Sequence, residues 1–161
     1  EKKLNNYYRL KPFFLQSIIF NEYYKKIESY ELFFNQKAGK NNMQIAALET
    51  IDFQFELVDS MGIDAQIELL STDVIREYEE LLNHYLNKDF DAVEALLQEE
   101  MDSEFEESFL KRRNEKWVPT IIEFVDTGNA FIAVGAAHII GDNGILTRLQ
   151  AEGYSIEPVD F

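Results

Sequence analysis

The spacing of apolar residues in the first quarter of the chain predicts helices. From Tyr8 to Leu32, apolar side chains recur near the 3.6-residue period of an amphipathic helix. This pattern predicts a helical segment over 11–38, with one break near Asn21 or Glu28. The residues Ala38-Gly39-Lys40-Asn41-Asn42 then predict a helix end followed by a loop.

Capping residues and apolar periodicity predict further helices in the middle of the chain and one near its end. The predicted ranges are 51–60, 63–87, 90–100, 104–118 and 142–151. Ser71-Thr72-Asp73 can cap or interrupt the second of these helices. Pro119 either ends the helix before it or starts a new turn through Asp126.

Three short apolar runs predict buried strands, at 45–48, 130–134 and 154–159. The end of the chain therefore has the order strand, loop, helix, turn, strand, which is typical of a layer with parallel strands. These elements predict an α-rich α/β fold, in which long helices pack on a small, mostly parallel sheet of about three strands. No internal repeat or linker divides the chain, so we expect one domain.

Composition excludes several classes of function. The chain has 161 residues, 30 acidic and 15 basic side chains, a net charge of −15, two histidines and no cysteine. Without a basic surface to neutralise phosphates, we expect no nucleic-acid partner. Without cysteine there is no disulfide, thiol nucleophile or cysteine-based zinc site. The longest apolar stretch, 131–140, is short of the ~20 residues of a membrane span.

Two side chains that follow predicted strands are candidates for chemistry. His138 follows the small residues Gly135-Ala136-Ala137, where its imidazole could ligate a metal or transfer a proton. Glu49 follows the first predicted strand, and the two groups could converge into a metal or acid–base pair. The alternatives are a buried structural histidine and a carboxylate that favours a helix start. We expect His84, in a polar helix, to lie on the surface.

Arg113 and Asn114 lie beside Trp117 in a predicted helix. The arginine could point into a site and hold a carboxylate or phosphate. It could equally pair with the acidic residues of 89–107, with the tryptophan filling the core. That acidic segment favours a solvated helix face, and a cation-binding surface is the alternative.

Several sequence blocks, taken in order, carry a resemblance to a known family. The blocks are Leu10-Lys11-Pro12, Ser29-Tyr30-Glu31, Ala38-Gly39-Lys40, Leu48-Glu49-Thr50, Arg113-Asn114 with Trp117, and 131–138 followed by Gly141, Gly144-Ile145-Leu146, Leu149 and Gly153-Tyr154. Together they resemble the TraB/GumN family, which includes the Tiki metalloproteases, over nearly the whole chain. The last block is the most specific of them.

The resemblance implies a fold related to erythromycin esterases and ChaN-like haem-binding proteins. The site of this group is expected to use two Gly-x-x-His motifs, acidic residues and an arginine. Gly135-Ala136-Ala137-His138 fits the second motif, and the first is expected upstream of residue 1. Residues 1–161 are thus interpreted as the C-terminal portion of a TraB/GumN-like domain, without its N-terminal part. We expect this chain to be inactive by itself.

The resemblance also implies roles for individual residues. His138 becomes a metal ligand, Glu49 a ligand or general base, and Arg113 a group that stabilises developing negative charge. Gly135 and Asn114 become binding residues. The function implied is part of a metal-dependent hydrolase, a peptidase of the TraB/GumN type.

The remaining expectations concern what the protein binds and where it acts. The cofactor implied is a divalent metal of unspecified identity, and the substrate a peptide or small molecule. The alternative is a non-enzymatic module that binds peptide or haem. A homo-oligomer, and export or attachment of the full-length protein to the cell envelope, are left open.

Overall fold

The described residues fold into helices joined by loops. The computed structural model describes residues 7–71, 73–100 and 103–159. The chain divides into two compact units, Glu1–Glu79 and Glu80–Phe161. Within the described ranges, no helix combines the length and the apolar character that crossing a membrane requires.

Helices make up most of the described residues of the first unit. They are α1 (Pro12–Tyr24), α2 (Tyr30–Lys40), α3 (Ile51–Ser60) and α4 (Ile63–Ser71), with α5 (Val74–Leu86) continuing into the second unit. The predicted break within 11–38 is confirmed, because α1 ends at Tyr24 and the next residue, Lys25, has a left-handed φ of 57°. The hydroxyls of Ser29 and Thr50 accept hydrogen bonds from backbone N–H groups in the first turns of α2 and α3.

Side-chain amide groups join the helices of the first unit. Gln16 of α1 donates from Nε2 to the carbonyl of Leu69 in α4, at 3.1 Å. Gln66, only 3 % exposed, donates to the carbonyls of Val58 and Met61 at the junction of α3 and α4. Each bond satisfies a carbonyl near a helix end, where no partner exists within the helix itself.

A long helical run forms the centre of the second unit. After α6 (Phe90–Glu100), the run consists of α7 (Ser103–Glu106), a π-helical segment (Glu107–Lys111) and α8 (Arg112–Thr127). A 3-10 turn (Ala136–His138) and α9 (Ile145–Ala151) follow. The apolar core consists mainly of side chains from these elements, namely Val93, Phe109, Trp117, Val118, Ile121 and Ile145.

Of the two alternatives at Pro119, a helix end or a new turn through Asp126, the helix end is wrong, because α8 continues through Pro119 to Thr127. A proline inside a helix removes one hydrogen bond and is costly by itself. Here Trp117, Val118 and Ile121 are buried on both sides of the proline. Burial of these large side chains outweighs the lost hydrogen bond.

The predicted α/β fold is also wrong: the described part of the chain is helical and contains no strand and no sheet. The runs at 45–48, 130–134 and 154–159 form neither helix nor paired strand. Ile45 is 54 % exposed and Phe131 68 % exposed, so these runs are not buried as predicted. A short apolar run has no periodicity that identifies a strand, and a strand is stable only with a partner to hydrogen-bond.

Candidate functional site around His138

The Gly-x-x-His motif forms a single tight turn. The carbonyl of Gly135 accepts a hydrogen bond from the backbone N–H of His138, at 2.9 Å. The spacing of three residues in the motif is therefore the spacing that closes a 3-10 turn. A Cβ at Gly135 would lie 3.9 Å from Cδ2 of His138, which is an ordinary contact. Gly135 thus contributes its backbone carbonyl to the turn, and sterics do not require a glycine there.

His138 is buried against α8. Its side chain and backbone are together 8 % exposed, and its ring centroid lies 4.5 Å from that of Trp117. The Nδ1 atom of the ring lies 2.7 Å from Oδ1 of Asn114. The ring is thus held on one face by an indole and at one nitrogen by an amide.

Asn114 joins His138 to the loop that follows it. It is 1 % exposed, and its Nδ2 donates to the carbonyls of His138, at 3.2 Å, and Asn143, at 2.8 Å. An atom that faces two carbonyl oxygens must be the amide nitrogen, because an oxygen there would meet two acceptors. The opposite atom, which faces His138, is therefore the amide oxygen.

The orientation of the Asn114 amide determines the proton position on His138. An amide oxygen only accepts hydrogen bonds, so Nδ1 of His138 must carry a proton to donate to it. In the neutral ring, the lone pair then lies on Nε2. The geometry thus holds His138 as the tautomer whose Nε2 can bind a metal or accept a proton.

Helical periodicity places these groups on the inner face of α8. Asn114, Trp117 and Ile121 are spaced by three and four residues, and all three are buried. The π-helical segment Glu107–Lys111 lies immediately before them. Such segments occur often at functional sites, since the extra residue in the turn changes which side chains face inward.

Arg113 contacts the same tryptophan as His138. Its guanidinium carbon lies 4.7 Å from the centroid of the Trp117 ring, and its Nη1 donates to the carbonyl of Phe109 at 3.0 Å. The structure therefore brings Arg113, Asn114 and His138 together around Trp117. The role of Arg113 toward a developing negative charge stays a prediction.

The loop 139–144 supplies contacts that sequence reasoning missed. The carbonyl of Asn143 accepts from Asn114 and also from Nε of Arg148, at 3.0 Å, while Arg148 pairs with Glu115 of α8 at 3.2 Å. A backbone carbonyl acceptor has no sequence signature, so no pattern could have identified Asn143. The expected helix start at Asp142 is wrong, because α9 begins at Ile145.

Glu49 lies in the first unit, just before the cap of α3, and accepts a hydrogen bond from Nε2 of Gln54 at 2.9 Å. His138, Asn114 and Arg113 all lie in the second unit. A shared role for Glu49 and His138 stays a prediction. His84 lies in α5, and its Nδ1 is 3.3 Å from the carboxylate of Asp89. Among the described residues, it belongs to no group of three or more possible metal ligands.

The described residues do not complete a metal site. Among them, no group of three or more histidine, aspartate and glutamate side chains is placed to hold a metal ion. A catalytic metal generally needs about three protein ligands. Among the described residues, His138 is thus a histidine with a lone pair on Nε2 that belongs to no such group of three.

Comparison with known proteins decides the family. A model of the TraB/PrgY/gumN family matches residues 1–158. The chain belongs to this family. The match confirms the resemblance found in the sequence blocks, the last of which contains His138.

The TraB/PrgY/gumN chain also resembles two animal proteins named as metalloproteases. It is 24 % identical to Metalloprotease TIKI1 of Homo sapiens over 163 residues, which cover 79 % of this chain and 32 % of that protein. It is 29 % identical to Metalloprotease TIKI2 of Danio rerio over 79 residues, which cover 47 % of this chain and 15 % of that protein. The chain thus spans about a third or less of these relatives. No solved structure matches it significantly.

Proposed function

We propose that this chain is part of a metal-dependent peptidase, to which His138 contributes one metal ligand through Nε2. Family membership and two relatives named as metalloproteases support a hydrolase or protease of this kind. The observation that carries the proposal for this chain is the hydrogen bond from Nδ1 of His138 to Oδ1 of Asn114.

The hydrogen bond matters because a metal binds only a nitrogen that has no proton. Histidine ligands commonly donate their other ring N–H to an oxygen acceptor, which fixes the tautomer and the ring orientation. Asn114 meets this requirement, because its amide is itself held by two backbone carbonyls. Binding at Nε2 then needs no change of tautomer.

The other residues named from the family resemblance receive roles under the same proposal. Glu49 supplies a carboxylate as ligand or general base, and the remaining donors lie outside the described residues or in a second copy of the chain. A bound divalent metal supplies a Lewis acid and an activated water. Arg113 stabilises negative charge on the scissile carbonyl, held in place by the Trp117 ring and the carbonyl of Phe109.

The two histidines of the chain provide a matched test. We would titrate metal-free samples of the complete protein with Zn²⁺, Mn²⁺ and Co²⁺ by calorimetry, using wild type, His138→Ala and His84→Ala. His138→Ala should weaken metal binding at least tenfold. Mutation of a residue that only orients a metal ligand already costs about 10–100-fold in affinity, so removal of the ligand itself should cost no less. His84→Ala should bind as wild type does, since His84 pairs with Asp89 on the surface.

Three results would contradict the proposal. The first is that the wild type shows no saturable metal binding. The second is that wild type and His138→Ala bind the metal with equal affinity. The third is that His138→Ala and His84→Ala lose the same amount of metal affinity. Circular dichroism of each variant would confirm that the helices are retained.

A further inference from the structure

A cavity in the second unit shares a wall with the His138 site. It has a volume of about 220 Å³, is partly open, and is lined by α6, the end of α7, the π-helical segment, α8 and the loop 137–143. Asn114, which holds His138, is one of its lining residues. We call it the Glu94 cavity, after the acidic side chain that α6 contributes to it.

The charged side chains that line the Glu94 cavity are all acidic. Its lining includes the carboxylates of Glu94, Glu106 and Asp142, and no lysine, arginine or histidine. Within the described ranges, Glu94 and Glu106 accept hydrogen bonds only from neutral amides, those of Gln98 and Asn143. Both glutamates are half-buried, which makes an unpaired charge there more costly than on an open surface.

Apolar side chains also line the Glu94 cavity. Leu97, Leu110 and Ile140 line the same cavity as the carboxylates. Ligand pockets for whole small molecules usually have volumes of ~300–1,000 Å³, so this cavity suits a single side chain better. A side chain with a hydrocarbon stem and a cationic end matches both the apolar and the acidic residues of the lining.

We infer that the Glu94 cavity receives the basic side chain of a lysine or arginine in a peptide. The inference rests on the proposed function in treating that peptide as the substrate. The charged end of the side chain would pair with Glu94 and Glu106, and its stem would cover Leu97 and Leu110. The site would then prefer peptides with a basic residue near the bond to be cleaved.

Binding without turnover tests the inference separately from the hydrolase proposal. The complete protein, with EDTA present, would be titrated with acetyl-Leu-Lys-Leu-amide, and with the same peptide carrying norleucine in place of lysine. Norleucine keeps the hydrocarbon stem and removes the charge. The lysine peptide should bind about tenfold more tightly or better, as expected for hydrogen bonds that involve charged groups.

Isosteric variants locate the binding. Glu94→Gln combined with Glu106→Gln should reduce the advantage of the lysine peptide to less than about threefold, because the charges are lost while the shape is kept. Glu99→Gln is the matched control, since Glu99 lies exposed on the same helix and outside the cavity lining. It should leave the advantage unchanged.

Several results would overturn the inference whether or not the protein is a hydrolase. They include equal binding of the two peptides, no binding of either, and an equal effect of the Glu99 control and the double variant. A further contradicting result concerns the variant with both Glu94→Gln and Glu106→Gln. If it loses affinity for Zn²⁺ in the absence of EDTA but still prefers the lysine peptide, the cavity is a metal site and not a site for a basic side chain.

Discussion

Replacing Asn114 by alanine should destabilise the protein more than any exposed asparagine substitution. The side chain is 1 % exposed and makes hydrogen bonds with Nδ1 of His138 and with the carbonyls of His138 and Asn143. Alanine removes all of them and leaves room where the amide was.

The size of the effect follows from the partners that are left behind. The carbonyl of Asn143 keeps its hydrogen bond from Nε of Arg148, so losing the bond from Asn114 costs little free energy there. Nδ1 and the carbonyl of His138 each lose the bond from Asn114, and a buried group that loses its partner costs ~1–3 kcal/mol. For these two groups together, we therefore expect the free energy of unfolding to fall by about 2–6 kcal/mol.

Urea unfolding followed by circular dichroism measures this loss. With m-values of ~1–3 kcal/mol/M for small proteins, the midpoint should fall by about 1 M or more. Asn129→Ala, at an exposed position of the same unit, is the control and should change stability by less than ~0.5 kcal/mol. A loss below about 1 kcal/mol for Asn114→Ala would refute the hydrogen-bond network described for His138.

Two further substitutions test the surroundings of the site. Gly144→Ala should strongly destabilise the protein, because the new Cβ would clash with the carbonyl oxygens of Ile139 and Ile140. Gly128→Ala is the control, since a Cβ at Gly128 meets nothing within 4 Å. Thermal unfolding should give a lower melting temperature for Gly144→Ala than for Gly128→Ala, and equal melting temperatures would contradict the prediction. The hydrogen bond from Lys111 lowers the pKa of Glu107 below its ordinary value of 4.5. The contribution of Glu107 to stability is therefore present above that value and lost as the pH falls through the lowered pKa. Urea unfolding at neutral and acidic pH should show that acid lowers the free energy of unfolding less for Glu107→Gln than for wild type. An equal decrease in the two proteins would show that the pair of Glu107 and Lys111 does not stabilise the fold.

Helix positions could be predicted from the sequence where caps determine them. The predicted helix 51–60 is α3, because Thr50 caps it, and the predicted helix 90–100 is α6. The strands could not be predicted reliably, because runs such as 45–48 are too short to show a period. Residues far apart in the chain decide whether such a run finds a partner, and no local pattern contains that information.

The candidate site was predictable only in part for the same reason. The Gly-x-x-His motif identified His138, and the Arg-Asn pair identified Asn114, because both have recognisable side chains in a fixed spacing. The contact between them spans 24 residues of sequence. The carbonyl of Asn143, which fixes the Asn114 amide, belongs to the backbone and leaves no mark in the sequence.

The protonation state of the His138 ring shows whether the amide of Asn114 fixes the tautomer of this histidine. Two-dimensional ¹H–¹⁵N NMR of the imidazole, in the metal-free protein at a pH where the ring is neutral, distinguishes a protonated ring nitrogen from one with a lone pair. The account predicts a protonated Nδ1 and a lone pair on Nε2 of His138, because the amide oxygen of Asn114 can only accept. A proton on Nε2, or an even mixture of the two tautomers, would contradict it.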